Sequence, residues 1–438
     1  ADQLNWPGHD FVAQWGAVTA SAAGFAKSEV KPRQISQKAY EIVVGIAAPG
    51  RLARLQALRA HMETIRPFRP DRDMVLTSNS WGDRSRDARM SEAFIMAEID
   101  AAARLGLTHV QLDDGWQKGL SRNSANRSGS RWEDWSAEDW TPHPQRFPRG
   151  LAPVVAHAGR VGIKLGLWFN PSRHNDYENW HRDAEILIGY WREFGISQVK
   201  IDGIDVPNEA AQRNLKLFFE RVVAASNGAM VLNVDVTAGR RPGYFMLNRY
   251  GTIFLENRYT DWGNYFPHRT LRNLWMLSAY VPPQWFQIEF LNTSRNPQHY
   301  DLHDPLAPVA VGQDYAFAVT MAAQPLAWME VSNLNATKQT RRLVKAFRSV
   351  QAAFQSGRIF PIGQEPNGRS WTGFQSIGHD GLSGFLLIYR EPLAADAGRI
   401  KTLLPSGRSI VLEPVLGVGK AMENIVAQED GAISFEFA

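Results

Sequence analysis

Between residues 74 and 331 the chain alternates short apolar runs with longer stretches of helical periodicity. The runs are Met74-Val-Leu-Thr-Ser, His109-Val-Gln-Leu-Asp-Asp, Lys164-Leu-Gly-Leu-Trp-Phe and Gln198-Val-Lys-Ile-Asp. They continue with Met230-Val-Leu-Asn-Val-Asp, Thr252-Ile-Phe-Leu-Glu, Trp285-Phe-Gln-Ile-Glu-Phe and Leu326-Ala-Trp-Met-Glu-Val. The segments between them, such as Ser91 to Leu105, Asp183 to Phe194 and Asn208 to Ala225, place apolar residues three and four apart, as an amphipathic helix requires. Eight strands, each followed by helix or loop, predict an α/β fold, a (β/α)8 TIM barrel over 71–355, an architecture that takes about 250 residues or somewhat more. The competing architecture, an open doubly wound sheet, usually carries a glycine-rich phosphate loop after its first strand, and none occurs here.

Past residue 355 the pattern changes. Glycine and proline punctuate short alternating runs such as Gly384-Phe-Leu-Leu-Ile-Tyr and Arg408-Ser-Ile-Val-Leu, which predicts a C-terminal antiparallel β-sandwich over 356–438. Residues 1–70 hold a strand-like Tyr40-Glu-Ile-Val-Val-Gly and a helical Pro49 to Glu63, consistent with the remnant of a larger N-terminal β domain. Ala1 in place of Met points to a processed or trimmed N-terminus. Residues 118–149 form a long Ser/Arg/Trp-rich loop after the second strand, and loops of that length are often functional or mobile.

Composition narrows the chemistry. Over 438 residues, 48 Lys and Arg stand against 44 Asp and Glu, a formal net charge of +4. The basic residues form no run of five, so no nucleic-acid partner is expected, and pairs such as Arg240-Arg241 and Arg341-Arg342 read as solvated or packing residues. Cysteine is absent. That removes disulfides, thiol nucleophiles and cysteine-ligated zinc, and leaves the compartment open between the cytoplasm and the periplasm or exterior. No uninterrupted apolar stretch reaches the ~20 residues that span a bilayer, so no membrane role is expected. The 15 tryptophans are an unusual number. A large core accounts for many of them, but less well for Trp132, Trp135 and Trp140, which fall in the polar loop and offer flat faces suited to the C–H face of a sugar.

The polar ends of the strands carry the most information, because in a barrel they ring a single mouth. Asp113, Asp114, Trp168, Asn170, Lys200, Asp202, Asp235, Glu256 and Glu289 all lie at or near such an end. Each alone would serve as a helix cap, but nine on six strands exceed what capping needs. In Val199-Lys-Ile-Asp-Gly-Ile-Asp205, a Lys two residues before an Asp sets both side chains on one face. A neighbouring ammonium favours an ionised carboxylate, as a nucleophile requires, and a structural ion pair has the same spacing. In Leu112-Asp-Asp-Gly-Trp-Gln117, adjacent carboxylates repel unless something donates to them, as vicinal sugar hydroxyls do. Metal binding competes with that reading, yet no His or Glu at ligand spacing accompanies the pair. Gly166-Leu-Trp-Phe-Asn-Pro171 offers an aromatic wall beside an amide.

Together these motifs resemble glycoside hydrolase family 36, which contains α-galactosidases and raffinose-synthase-like enzymes. Asn79-Ser-Trp81 fits after the first strand, Leu112-Asp-Asp-Gly-Trp116 after the second and Gly166-Leu-Trp-Phe-x-Pro171 after the third. Lys200-Ile-Asp202 follows the fourth and Val236-Thr-Ala-Gly-Arg-Arg-Pro-Gly243 the fifth, in family order over residues 70–350. The resemblance implies a retaining glycoside hydrolase on α-glycosides, above all α-galactosides, with an oligosaccharide or other glycoside as its partner, no cofactor and no metal. Family analogy favours a homo-oligomer. Asp202 matches the nucleophile, Lys200, Asp113 and Asp114 the groups that hold sugar hydroxyls, and Trp168 the subsite wall. Trp116, Asn170, Asp235 and Arg258 join the candidate substrate-binding set. The family's acid/base lies after the sixth strand in a Ser-Asp-x-x-Asp pattern. Here Leu255-Glu-Asn-Arg-Tyr-Thr-Asp-Trp262 leaves Glu256, by strand-end position, slightly ahead of Asp261, by its Thr-Asp pair. Ile204 and Asn170-Pro-Ser172 stand where typical hydrolases carry Asn and Glu-Pro-Glu. Those departures are closer to the raffinose-synthase branch, so a transglycosylase, or a sugar-binding barrel without turnover, stays open beside hydrolysis.

Overall fold

The computed structural model of the chain describes residues 9–14, 17–22, 45–125, 132–240, 247–418, 422–429 and 431–436. The strand-like stretch from Tyr40 to Val44 lies outside these residues, as do Arg241, Pro242 and Gly243 of the glycine-rich segment. Near the N-terminus, His9–Gln14 and Ala17–Ala22 pair antiparallel.

Eight parallel strands close into a barrel. They are β1 (Thr77–Asn79), β2 (His109–Leu112), β3 (Lys164–Phe169), β4 (Gln198–Ile201), β5 (Val231–Asp235), β6 (Gly251–Phe254), β7 (Phe286–Phe290) and β8 (Gln324–Trp328). Closure comes from β8 on β1, with Leu326, Ala327 and Trp328 opposite Thr77, Ser78 and Asn79. Each predicted run overlaps one strand, and several ladders stop short of the polar residues. Asp113, Asp114, Asp202 and Glu256 follow the last paired residue of their strands, so their backbones are free to turn at the mouth.

The strands are buried on both faces because helices cover the outside. Ser91 accepts from the Phe94 N–H to start helix Glu92–Leu105, which ends at Gly106 in the left-handed region. Asn208 caps Glu209–Ala225 in the same way through the Ala211 N–H. One continuous apolar core, including Leu112, Leu167, Val199, Ile201, Val234, Ile253 and Ile288, fills the space between strands and helices. No described helix is long and apolar enough to cross a membrane.

The long loop after β2 corrects one expectation. Trp135 and Trp140 are fully buried, with ring centroids 4.8 Å apart and 6.4 and 5.7 Å from Trp168. They are the loop's own core rather than faces offered to a sugar. Only Trp132 keeps part of its ring uncovered.

Helix Lys338–Ser356 leads from the barrel into Arg358–Gly363, the first strand of a three-stranded antiparallel sheet with Trp371–Ile377 and Gly384–Arg390. Two further antiparallel pairs follow, Ala397–Lys401 with Ala432–Glu436 and Ser409–Leu412 with Met422–Val426. Trp371, Ile400, Ile433 and Phe435 form the core of this C-terminal part. Helix Arg51–Ile65 is fastened to it by Glu63, which accepts two hydrogen bonds of 2.8 Å from Arg358.

The barrel's seam depends on one close approach. The turn Ser80–Asp83 after β1 runs so near β8 that a Cβ on Gly82 would collide with the backbone and ring of Trp328. Replacing Gly82 with Ala is expected to cost about 1–3 kcal/mol or more through overpacking, read as a lower urea midpoint. An unchanged midpoint would contradict the close approach.

Candidate active site

A buried ammonium organises the mouth. Lys200, on β4, reaches inward until its Nζ stands 3.1 Å from Asp113 Oδ2, 3.9 Å from Asp235 Oδ2 and 4.0 Å from Asp202 Oδ2. The rings of Phe254 and Trp328 close over it at 4.8 and 4.7 Å, adding cation–π attraction. Burial works against the ammonium, but the charges of Asp113, Asp202 and Asp235 overrule it and hold Lys200 above the ordinary lysine range. Three carboxylates share one cation, which leaves surplus negative charge among them. Burial, and then the charge of Asp202, push Asp235 up to about 6 against the opposing pull of Lys200. Thr237 donates to Asp235 through both its N–H and its hydroxyl, at 2.8 and 2.7 Å.

Asp113 is held by three donors. Its Oδ2 accepts from Asn79 Nδ2 at 2.5 Å and from Lys200, while Oδ1 accepts from the Asp114 N–H at 2.8 Å. Asn79 also donates to Gln111 Oε1 at 2.8 Å, linking the ends of β1 and β2. The sequence offers Asn79 only as part of a motif; its contact with Asp113 depends on closure of the barrel.

Asp202 is the carboxylate that faces outward. Its side chain is 26% exposed, against 2% for Asp113 and 5% for Asp235. Its Oδ2 accepts from Trp168 Nε1 at 3.0 Å and its Oδ1 from the Gly203 N–H at 2.6 Å, so both oxygens have fixed directions. Gly203 is in the left-handed region, at φ +64, and a Cβ there would collide with Asn170 and Trp132. Glycine is required on both counts.

Several residues expected at the substrate are buried. Asn170 is fully buried and uses both ends of its amide, donating to the Asp202 carbonyl at 2.7 Å and accepting from Trp135 Nε1 at 2.6 Å. Trp116 is also fully buried and donates its indole N–H to the Trp168 carbonyl at 2.9 Å. Trp168 is covered by Trp132, Trp135 and Trp140, and it meets the site through its N–H rather than as an open wall. Asp114 is taken up by its own loop: Oδ1 accepts from Gln117 at 2.8 Å and Oδ2 from Ser121. Burial pushes its carboxyl up to about 7, with hydrogen bonds from Ser121 and Gln117 opposing. All four are buried, and Asn170, Trp116 and Asp114 already have protein partners at their polar side-chain atoms.

The two acid/base candidates differ sharply. Glu256 is buried, and both of its oxygens are engaged, one by Arg258 Nη1 at 2.6 Å and the other by Asn273 on helix Pro267–Leu277. Arg258 also donates to Thr270 of that helix at 3.0 Å, which ties Glu256 and Arg258 to the helix. Burial raises Glu256, with Arg258 opposing. Glu289 lies beneath them and is raised strongly by burial and by the Glu256 charge; its Oε2 accepts from the Arg258 N–H at 3.2 Å. Asp261, in the turn Thr260–Trp262, is only half-buried. Its Oδ1 is shielded and has no hydrogen-bond partner among the described residues. Of the two candidates, Asp261 is the carboxyl with an unengaged oxygen. Among the described residues, no three or more His, Asp or Glu side chains are grouped so as to hold a metal ion.

No protein-family model matches the chain. A segment is 33% identical over 82 residues to the α-galactosidase of Escherichia coli, covering 19% of this chain and 10% of that protein. Similarity to α-galactosidase C of Emericella nidulans is 30% over 141 residues, 30% of this chain and 17% of that one. Among solved structures, a variant of the family 36 α-galactosidase AgaA from Geobacillus stearothermophilus, in complex with 1-deoxygalactonojirimycin, matches with a TM-score of 0.61. That match covers 89% of this chain and 58% of AgaA, at 15% identity. The chain thus spans well under two thirds of these relatives' lengths. It is similar to family 36 α-galactosidases, in sequence over these segments and in fold over most of its length.

The Asp114 environment generates a pH prediction. Its folded value lies above the ordinary 3.8, so the stability contributed by its protonated form is complete below about pH 4 and is lost as pH rises through about 7. An Asn side chain cannot ionise. The stability of Asp114→Asn relative to wild type should therefore rise by about 1–3 kcal/mol between pH 5 and pH 8 in urea titrations. A difference independent of pH would contradict this environment.

Proposed function

We propose that the chain is a retaining glycoside hydrolase acting on α-galactosides, with Asp202 as nucleophile and Asp261 as acid/base. The observation that carries this reading is the state of Asp202: an outward-facing carboxylate at a barrel mouth, oriented through both oxygens and set beside a buried ammonium. Similarity to α-galactosidases supports the choice of sugar.

In the first step an Asp202 oxygen attacks the anomeric carbon. The bond to the leaving oxygen breaks, and Asp261 transfers its proton to that oxygen. In the second step Asp261 takes a proton from water, which attacks the same carbon and frees Asp202; two inversions give net retention. The unsatisfied Oδ1 of Asp261 suits a group that exchanges a proton with a ligand, since a shielded oxygen without a partner is costly otherwise. Asp113, Lys200 and Asp235 form the floor under the reacting sugar, where hydroxyl protons offset the surplus negative charge. A sugar acceptor in place of water would give transglycosylation with the same residues. The departures at Ile204 and Ser172 favour keeping that second reading, and product distribution against acceptor concentration separates the two.

Asp202→Asn should lower turnover of all α-galactosides by about 10³-fold or more, and wild type should release α-galactose first in time-resolved NMR. Asp261→Asn should lose about 10²–10⁴-fold on substrates with poor leaving groups and much less on activated ones. Glu256→Gln should leave this leaving-group dependence as in wild type. A β-configured first product, or full activity in Asp202→Asn, would overturn the nucleophile. A leaving-group dependence created by Glu256→Gln would return the acid/base role to Glu256.

A further inference from the structure

We propose that Trp262, braced by Arg84, is the platform of a leaving-group subsite that takes a second sugar ring. The inference rests on the reading of Asp261 as acid/base and extends it to the substrate's other half.

Trp262 is the only exposed tryptophan among the described residues, with 57% of its surface open. An indole left in water forgoes a large hydrophobic gain, so a solvent-facing one that is also rigidly held calls for a reason. Here the support is extensive. Tyr259 meets Trp262 edge-on at 4.7 Å, and the Arg84 guanidinium lies 4.4 Å from the Trp262 ring and 4.7 Å from that of Tyr259. Gly263, at φ +62, ends the turn so close to the next loop that a Cβ would stand 2.6 Å from the His299 carbonyl oxygen. Asn296 pins the other side by donating to Thr260 Oγ1 at 2.9 Å. Arg84 itself adopts a left-handed backbone, at φ +60, which a non-glycine residue holds only where its surroundings impose it.

The position follows from the chemistry of its neighbour. The group that protonates the leaving oxygen must face the leaving group, and Trp262 is the next residue in the same turn. A chain of rings, Trp328 to Tyr259 at 6.1 Å and Tyr259 to Trp262, connects the platform to Lys200 at the barrel centre. Arg84 comes from the loop after β1 and Trp262 from the loop after β6, so the pair spans the rim above β7 and β8. A ring with a cation stacked over one face suits a pyranose: the sugar's C–H face lies on the indole surface that Arg84 leaves uncovered, and its hydroxyls accept from the guanidinium at the rim. Arg84 makes no salt bridge among the described residues, so those donors are available.

The test compares two galactosyl donors that both need a proton on the leaving oxygen, methyl α-galactoside, whose leaving group has no ring, and melibiose, whose leaving group is glucose. The proposal expects Trp262→Ala to lower kcat/KM for melibiose by about tenfold or more relative to its effect on the methyl galactoside, with Trp262→Phe recovering most of the ratio. A loss of equal size on both donors would mean that Trp262 acts through Asp261 alone, and no loss on melibiose would mean that no ring rests there; either overturns the subsite. If wild type turns over neither donor, the proposed activity falls and the platform is judged separately by fluorescence titration. Melibiose shifting wild-type emission but not that of Trp262→Phe would support it, and identical responses would overturn it.

Discussion

The mouth of this barrel is built around the problem of a lysine that cannot reach water. Lys200 points into the barrel under the rings of Phe254 and Trp328, and a cation there must be met by charge. It is met from three strands at once, by Asp113 after β2, Asp202 after β4 and Asp235 at the end of β5. Strand order, register and the direction of each strand end are thereby tied to one point. The solution also overshoots. Three carboxylates around one ammonium leave the site short of donors, visible in the raised carboxyl of Asp235, and a ligand rich in hydroxyl groups would supply what is missing.

A second constraint is orientation. Asp202 lies on a loop past its strand, where a carboxylate would ordinarily rotate freely. The Trp168 indole fixes one oxygen and the Gly203 amide the other, while Asn170 holds the carbonyl. Behind them Trp116, Trp135 and Trp140 lock Trp168 and Asn170 in place. Much of the aromatic content therefore serves rigidity rather than contact, the expense of holding a reactive group in one pose.

Much of this was legible in the chain. The barrel strands read as continuous apolar runs because each is covered on both faces, and Lys200 and Asp202 were paired by the two-residue period that sets them on one face. What the sequence cannot show is which polar atoms are already taken. Glu256 and Asp261 look alike in one dimension. Only the folded chain brings Asn273 and Arg258 onto Glu256 and leaves Asp261 unsatisfied. The same holds for Asp114 and Trp116: their motif marks the right loop, but the direction of each side chain depends on Ser121, Gln117 and Trp168. Asn79 was hidden for the converse reason, since its partner Asp113 belongs to the neighbouring strand's end.

The central claim, that Asp202 becomes covalently bonded to the sugar, is tested most directly by trapping the intermediate. The protein would be incubated with a fluorinated galactosyl fluoride that forms the glycosyl-enzyme quickly and hydrolyses slowly, then digested and mapped by mass spectrometry. The account predicts one added fluorogalactosyl unit per chain, on Asp202. An adduct on Asp235 or Asp261, or none while wild type still hydrolyses α-galactosides, would contradict it.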